Sequence, residues 1–287
     1  MPWLDKLGGD PVLLAWVAAA VLVEAAMYAS MAREAWRNRW ERRMLVVAAP
    51  LSCALYHVAL PQGSLRSVLA LGGMAALFVG ASPPLARRRH GWAYVAALAA
   101  APLLFKAFRP FYPPAGELRM EFLGQLMWIR TTVITVLRDL QPEGVGFGFW
   151  PEAREWKTGF RYFVFLLPVA FALAWAVGFA QPAPPEGPWL MTAARAGATF
   201  FGILWVVALG EEFFFRGLLQ PRIGLWAASA LFGLAHLGFR EFPNWRFAIV
   251  AGAAGVFYGL AYRAGGGIRA SMVTHALTVA AWRTFFR

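Results

Sequence analysis

The sequence is short of charge, of cysteine, and of lysine and asparagine. Only 15% of its 287 residues are charged and 60% are hydrophobic, against about 25% and 45–50% in ordinary soluble domains. Such a chain cannot hide its apolar surface from water by itself. The single cysteine, Cys53, excludes an intramolecular disulfide and a multi-cysteine metal site, and reads as a small buried apolar residue. No repeat with a period of about 20–50 residues and no low-complexity tract occurs. Lysine is nearly absent, so the net charge of +12 rests on arginines, and these sit mostly in short loops beside apolar blocks. A nucleic-acid binder gathers its charge on a polar face interleaved with stacking aromatics. Here Trp and Tyr recur near block ends, where interfacial anchors belong. Nucleic acid is therefore excluded as a partner, and the lipid bilayer is expected as one.

What is present is a series of apolar blocks of roughly 16–20 residues, the length of bilayer-spanning helices. The pattern is all-α, a polytopic transmembrane helical bundle of about 8–10 membrane helices. Spans are expected at residues 11–30, 44–60, 65–82, 91–108, 161–180, 195–219, 225–239, 247–262 and 270–286. A tenth segment, 122–137, carries Arg130 among Gln125, Thr131, Thr132 and Thr135. It reads as a short span lining a cavity or as an amphipathic helix in the interface. Arg130 itself is expected at the interface, the alternative being a buried cation that holds a substrate carboxylate.

Five arginines against two glutamates in 31–43, and Arg87, Arg88 and Arg89 in 84–90, place both loops in the cytoplasm and the N-terminus outside. The first ten residues carry Asp5, Lys6 and Asp10 and lack the basic start of a secretory signal, so the first block is expected to be retained as a helix. Ten spans then put the loop 181–188, which has no basic residue, outside, and the loops with Arg222 and with Arg263 and Arg269 inside. His57 and Lys106 lie near span ends, where snorkelling is adequate, and Glu24, one to two turns from loop 31–43, is expected to pair with a basic residue. Gly72, Ala76 and Gly80, and separately Ala251, Gly255 and Gly259, put small residues on one helix face for close packing. The polar stretch 138–160, which contains Gly-Phe-Gly-Phe-Trp-Pro, is too short to be a domain. It begins a C-terminal bundle, 138–287, after N-terminal helices, 1–137, to which no role is assigned.

Ionisable groups inside a bilayer are costly and mark sites or partnered structural pairs. Most of the apolar blocks carry at most one, whereas Glu211, Glu212 and Arg216 fall within six residues at the end of a long apolar helix. Glu212 and Arg216, four apart, share a helix face and can pair; Glu211 is rotated by about 100° and faces something else. His236 and His275 lie in the two other helices that can meet it. With Arg222 and Arg269 at one membrane face and about 1.5 Å of rise per residue, Glu211 and His236 lie roughly 15–20 Å deep and His275 roughly 9 Å deep. One glutamate and one histidine suffice to activate water for attack on a carbonyl, and a second histidine can donate to the oxyanion. The constellation reads as hydrolysis without a nucleophilic Ser or Cys.

These residues resemble the CPBP family of intramembrane glutamic proteases, the CAAX prenyl endopeptidase and bacteriocin-processing group. Its motifs are Glu-Glu-x-x-x-Arg, Phe-x-x-x-His, and a third His followed four residues on by Asn. Here they stand as Glu211 to Arg216, Phe232 to His236, and His275; the likeness covers about residues 138–287. The resemblance implies Glu211 as water-activating base, His236 as its partner, Glu212 and Arg216 as supports, and His275 as oxyanion donor. The position of the Asn is Val279, which cannot donate a hydrogen bond, so Thr278 or Trp282 is expected to substitute, or the protein is slow or inactive. The implied substrate is a membrane-associated protein or peptide: a prenylated tail, a leader or a C-terminal sorting tag. Scarce Lys and Asn with abundant Ala, Arg and Gly look like a GC-rich bacterial genome, which points to a bacterial inner membrane and away from prenylated tails.

Three other readings stay open. The charge cluster could hold helices together in a non-catalytic immunity, scaffold or partner protein, with Val279 in its favour. A transporter could use the Glu, His and Arg side chains as a proton relay, but no internal symmetry supports it. Two His and one or two Glu are also adequate zinc ligands. Against a metal stand the lack of a local His-Glu-x-x-His pair and the resemblance to metal-independent enzymes; neither metal nor cofactor is expected. Nothing in the sequence speaks to oligomeric state.

Overall fold

The computed structural model describes residues 11–58, 60, 63–179, 181–185 and 187–286. Asp5, Lys6 and Asp10, which bear on the expected outside N-terminus, lie outside the described residues. Those residues form helices and short loops, with no strand beyond isolated bridges between Ala115 and Leu118 and between Pro182 and Phe286. Runs this apolar become helices because only internal hydrogen bonding satisfies their backbone in lipid. Five are long and apolar enough to cross a membrane: Pro11–Ala32, Leu65–Ala86, Ala153–Ala176, Trp189–Ala235 and Trp245–Gly265. The protein is a multi-pass membrane protein.

The difference from ten expected spans has local causes. Segment 44–60 is two short helices that meet at Pro50, and 91–108 yields a helix of 14 residues. Segments 195–219 and 225–239 fall in one helical run of 47 residues, about 70 Å if it were straight and more than twice a bilayer core. Gly224 breaks that run with φ 83° and ψ 168°, a conformation open to glycine because it lacks a Cβ.

The chain divides into two compact units after Gln141. The N-terminal unit holds α1 (Pro11–Ala29), α2 (Glu34–Arg37), α3 (Arg42–Ala48), α4 (Leu51–Val58), α5 (Leu65–Ala86), α6 (Gly91–Leu104) and α7 (Glu121–Asp139). Its least apolar long helix, α7, buries twelve of its nineteen residues. It can do so because most of its buried polar side chains find partners inside the unit, Thr135 Oγ1 and one Arg130 nitrogen excepted. Thr131 and Thr132 donate to the carbonyls of Met127 and Trp128, each at 2.8 Å, and Trp128 Nε1 donates to Ala99 O at 2.7 Å. Arg130 is fully buried and pairs with Glu24 at 3.1 Å, beneath the Trp40 ring at 4.9 Å. This contact corrects the interfacial placement of Arg130 and supplies the basic partner expected for Glu24, each group offsetting part of the other's desolvation cost inside the bundle.

His57 is corrected too. It is buried, accepts from the Ser64 N–H at Nδ1 (3.2 Å), and so donates from Nε2 to Phe111 O (2.8 Å), pinning two loops rather than snorkelling. The stripe of Gly72 and Gly80 does not act along its length. A Cβ at Gly72 would touch Pro50 at 3.6 Å, whereas one at Gly80 would meet nothing. Cys53 is buried, as its size and polarity predict.

The C-terminal unit holds α8 (Ala153–Ala176), α9 (Trp189–Gly202), α10 (Leu209–Glu212), α11 (Gln220–Ala235), α12 (Trp245–Gly265) and α13 (Ile268–Phe285). Residues 203–208 and 213–219 are π-helical, so α9 to α11 form one run with wide turns on both sides of Glu211 and Glu212. Widened turns of this kind are frequent at functional sites because they re-aim side chains. The helices α8 and α13 touch closely at Gly159, where a Cβ would lie 2.5 Å from Val273, and Thr274 donates to Gly159 O at 3.0 Å.

Candidate active site

Three local devices set the helix that carries His275. The first turn of α8 is closed by a capping box of Glu152 and Glu155, which satisfies two otherwise orphaned N–H groups. Arg269, at the start of α13, reaches both carboxylates at 3.0 Å. The Ile268 N–H donates to Val145 O at 2.7 Å, and Gly146 and Gly267 approach so closely that a Cβ on either would come within 2.9 Å of the other's Cα. The glycine-rich stretch before α8 is therefore a brace: Trp205 Nε1 donates to Phe149 O at 3.0 Å, and Phe147 packs edge-on against Phe213.

The other wall is α12. Gly255 lets it approach Arg216 and Phe232, which a Cβ would meet at 3.4 and 3.3 Å. Gly259 makes room for Gln220, whose amide donates to Gly259 O at 3.0 Å. Asn244 caps α12 by accepting from Phe247 N–H at 3.0 Å, and its own amide donates to Phe239 O at 3.0 Å. That double tie fixes the turn that follows His236.

Within this frame, Glu211, Glu212, Arg216, His236 and His275 come together. Glu212 and Arg216 are both fully buried and 3.2 Å apart, Arg216 Nε to Glu212 Oε2, close enough for attraction without the alignment of a hydrogen bond. Around the guanidinium stand the rings of Phe232, Phe215 and Tyr258, with centroids at 4.9, 5.8 and 5.9 Å, a cation–π cage. The other oxygen of Glu212, Oε1, accepts from His275 Nδ1 at 2.9 Å. Glu211 is one-third exposed, and its Oε2 lies 3.9 Å from Nε2 of His236 and 3.9 Å from Nε2 of His275.

The partners assign the tautomers. His236 Nδ1 lies 2.7 Å from Phe232 O, and a carbonyl only accepts, so Nδ1 carries the proton and Nε2 of the neutral ring presents a lone pair. The same logic at Glu212 gives His275 a proton on Nδ1. With both rings neutral, Glu211 and the two Nε2 atoms are all acceptors facing one another. A single water placed between Glu211 and His236 can donate to both, and His275 can donate toward the site only as an imidazolium. Among the described residues, no group of three or more His, Cys, Asp or Glu is arranged to hold a metal ion.

Thr278 and Trp282 are not among these five, although Thr278 lies in hydrogen-bonding reach of Tyr258. Thr278 donates its hydroxyl proton to Thr274 O at 2.7 Å, and Trp282 stacks between Phe179 and Phe286 at 5.3 and 5.0 Å. Both line an apolar recess between α8 and α13 with Phe163, Leu166 and Phe171. Sequence reasoning missed Tyr258, which is buried and lies parallel to the His275 ring at 4.6 Å and 12°. The available signal was an aromatic hydroxyl set within the small-residue face of Gly255 and Gly259.

A family model for type II CAAX prenyl endopeptidase Rce1-like proteins matches residues 193–281. Residues 193–281 are a domain of that family. All five gathered side chains lie inside it, and the family includes glutamic intramembrane proteases. A curated relative, the uncharacterized protein YpbD of Bacillus subtilis (strain 168), is 39% identical over 70 residues, 24% of this chain and 36% of that protein. The chain thus spans about a third of the curated relative it matches. No solved structure matches.

Proposed function

We propose that the C-terminal unit is an intramembrane endopeptidase that hydrolyses a peptide bond in a membrane-associated protein tail, leader or C-terminal sorting tag. The observation that carries this reading is the convergence of a half-open carboxylate on two imidazole Nε2 atoms whose opposite nitrogens are tied down. Glu211 takes a proton from water as the water oxygen attacks the carbonyl carbon. The tetrahedral oxyanion is met by the Nε2–H of His275 in its imidazolium form, whose Nδ1–H donates to Glu212. Glu211 then returns the proton to the amide nitrogen as the C–N bond breaks, leaving a carboxylic acid, an amine and an unmodified enzyme. The arginine-rich, lysine-poor composition supports a bacterial inner membrane as the setting.

The test compares protein termini in membranes that carry wild-type protein or Glu211→Gln at matched abundance. A set of tails that stays uncut only with the variant is the expected result and names the substrate; identical termini would sink the proposal in favour of a non-catalytic partner role. Because the donor set holds no local metal-binding pair, dialysis against a strong chelator is expected to leave cleavage intact. Loss on dialysis with recovery on adding zinc would make the same three side chains metal ligands.

A further inference from the structure

The two ends of the N-terminal unit differ in charge. Arg42 donates to Val79 O at 3.2 Å and pairs with Asp139, and Arg138 donates to Trp40 O. From Val79, α5 runs eight residues further, about 12 Å, to Arg87. These contacts gather residues 33–43, 87–89 and 138–139 at one end, with nine arginines against three acids. At the other end, residues 56–66 and 104–121 hold four basic side chains against two acidic ones.

Two of the nine arginines are anchored by the fold, Arg42 on Asp139 and Arg138 on a backbone carbonyl. Six others, Arg33, Arg39, Arg43, Arg87, Arg88 and Arg89, are exposed and make no ion pair among the described residues. They stand beside apolar side chains that face outward: Met44, and Val47 at 76% exposure. Trp36 is also exposed, and its ring lies 4.9 Å under the Arg33 guanidinium. A band of guanidinium groups and an exposed indole directly above an outward apolar face is the layering of a phospholipid headgroup region. Guanidinium groups match phosphate oxygens with paired N–H donors.

We infer that this end of the N-terminal unit is a binding surface for anionic phospholipid headgroups, held by the exposed arginines of 33–43 and 87–89. It is independent of the proteolytic reading and holds whether or not Glu211 is a base. The full chain is placed in nanodiscs of phosphatidylcholine alone or with about 30 mol% phosphatidylglycerol, and its thermal midpoint is read. A rise of about 5 °C or more is expected with the anionic lipid at low salt, collapsing at about 1 M NaCl.

The variant R87Q/R88Q/R89Q is expected to lose at least about half of that rise, whereas R195Q/R240Q/R283Q, which removes as many charges from the C-terminal unit, keeps it. Each variant is compared with itself in neutral lipid, so a change in intrinsic stability cancels. If the triple variant does not accumulate, R39Q/R43Q carries the same expectation. No lipid-dependent rise, or an equal loss in both triple variants, overturns the inference. An equal rise on adding inorganic phosphate to neutral nanodiscs also overturns it, since the surface would then take free phosphate and not lipid.

Discussion

Among the described residues, each unit of this protein buries one glutamate–arginine pair with no exposed surface on either side chain: Glu24 with Arg130 at 3.1 Å, and Glu212 with Arg216 at 3.2 Å. The pairs are chemically the same and differ in what lies beyond them. Glu24 and Arg130 are 106 residues apart in sequence. They join α1 to α7, and the remaining contacts of Arg130 are a backbone carbonyl at Ala48 and the face of Trp40. The polar groups nearest that charge pair, Ser52, Tyr28 and Tyr112, are all buried, so it leads to no opening and acts as a staple. Glu212 and Arg216 sit one turn apart on a single helical run, so they join nothing by themselves. The second oxygen of Glu212 reaches His275, and His275 faces the half-open Glu211. A buried ion pair is thus structural or part of a reactive site according to whether a third, titratable group continues it toward an opening.

Neutralising the two glutamates is the largest test of this contrast. Glu212→Gln leaves Arg216 buried without its counter-charge and replaces the carboxylate that holds His275 Nδ1; cleavage is expected to fall by about 10²–10³, the scale of losing one oxyanion donor. Glu24→Gln is expected to lower stability by about 3–5 kcal/mol, because Arg130 is left buried and uncompensated. Its cleavage per folded molecule should stay within about twofold. Thermal unfolding and cleavage measured on the same preparations separate the two. A Glu24→Gln protein of normal stability that no longer cleaves would break the comparison.

How much of this arrangement could be read from sequence follows the same division. The pairing of Glu212 with Arg216 was legible because a spacing of four fixes a shared helix face, and apolar blocks around His236 and His275 marked their helices. The pairing of Glu24 with Arg130 was not, because no periodicity relates positions on separate helices. Arg130 looked interfacial only while its partner was out of view. The π-helical turns on both sides of Glu211 leave no mark in composition, since the backbone register and not the side-chain pattern changes there. His275 as the link between both glutamates also needed the fold, which braces α13 through Arg269 and the Gly146–Gly267 contact.

Tyr258 offers a sharper and smaller test, since it touches His275 and Arg216 but neither carboxylate in any hydrogen bond. Its parallel ring holds the imidazole plane that aims Nε2 at Glu211. Tyr258→Leu is expected to lower kcat by about tenfold with KM within about twofold, and Tyr258→Phe, which keeps the ring, to restore most of it, an aromatic stack being worth about 0.5–1.5 kcal/mol. If Phe behaves like Leu, the hydroxyl and not the ring is what the site uses, and Tyr258 moves from positioning His275 to donating a hydrogen bond itself.

The smallest expected effect is at Val279, one turn beyond His275 and partly buried. Valine there offers no donor, and Thr278 and Trp282 are occupied by Thr274 O and by aromatic stacking. In the proposed reaction this leaves the Nε2–H of an imidazolium His275 to meet the oxyanion, with Glu212 holding its Nδ1. Val279→Asn then adds a donor to a site that already has one, and cleavage should stay within about threefold or rise, a net hydrogen bond being worth about 0.5–1.5 kcal/mol. A fall of tenfold or more would show instead that valine shapes the cavity by packing, and that His275 works in a geometry an amide side chain disrupts.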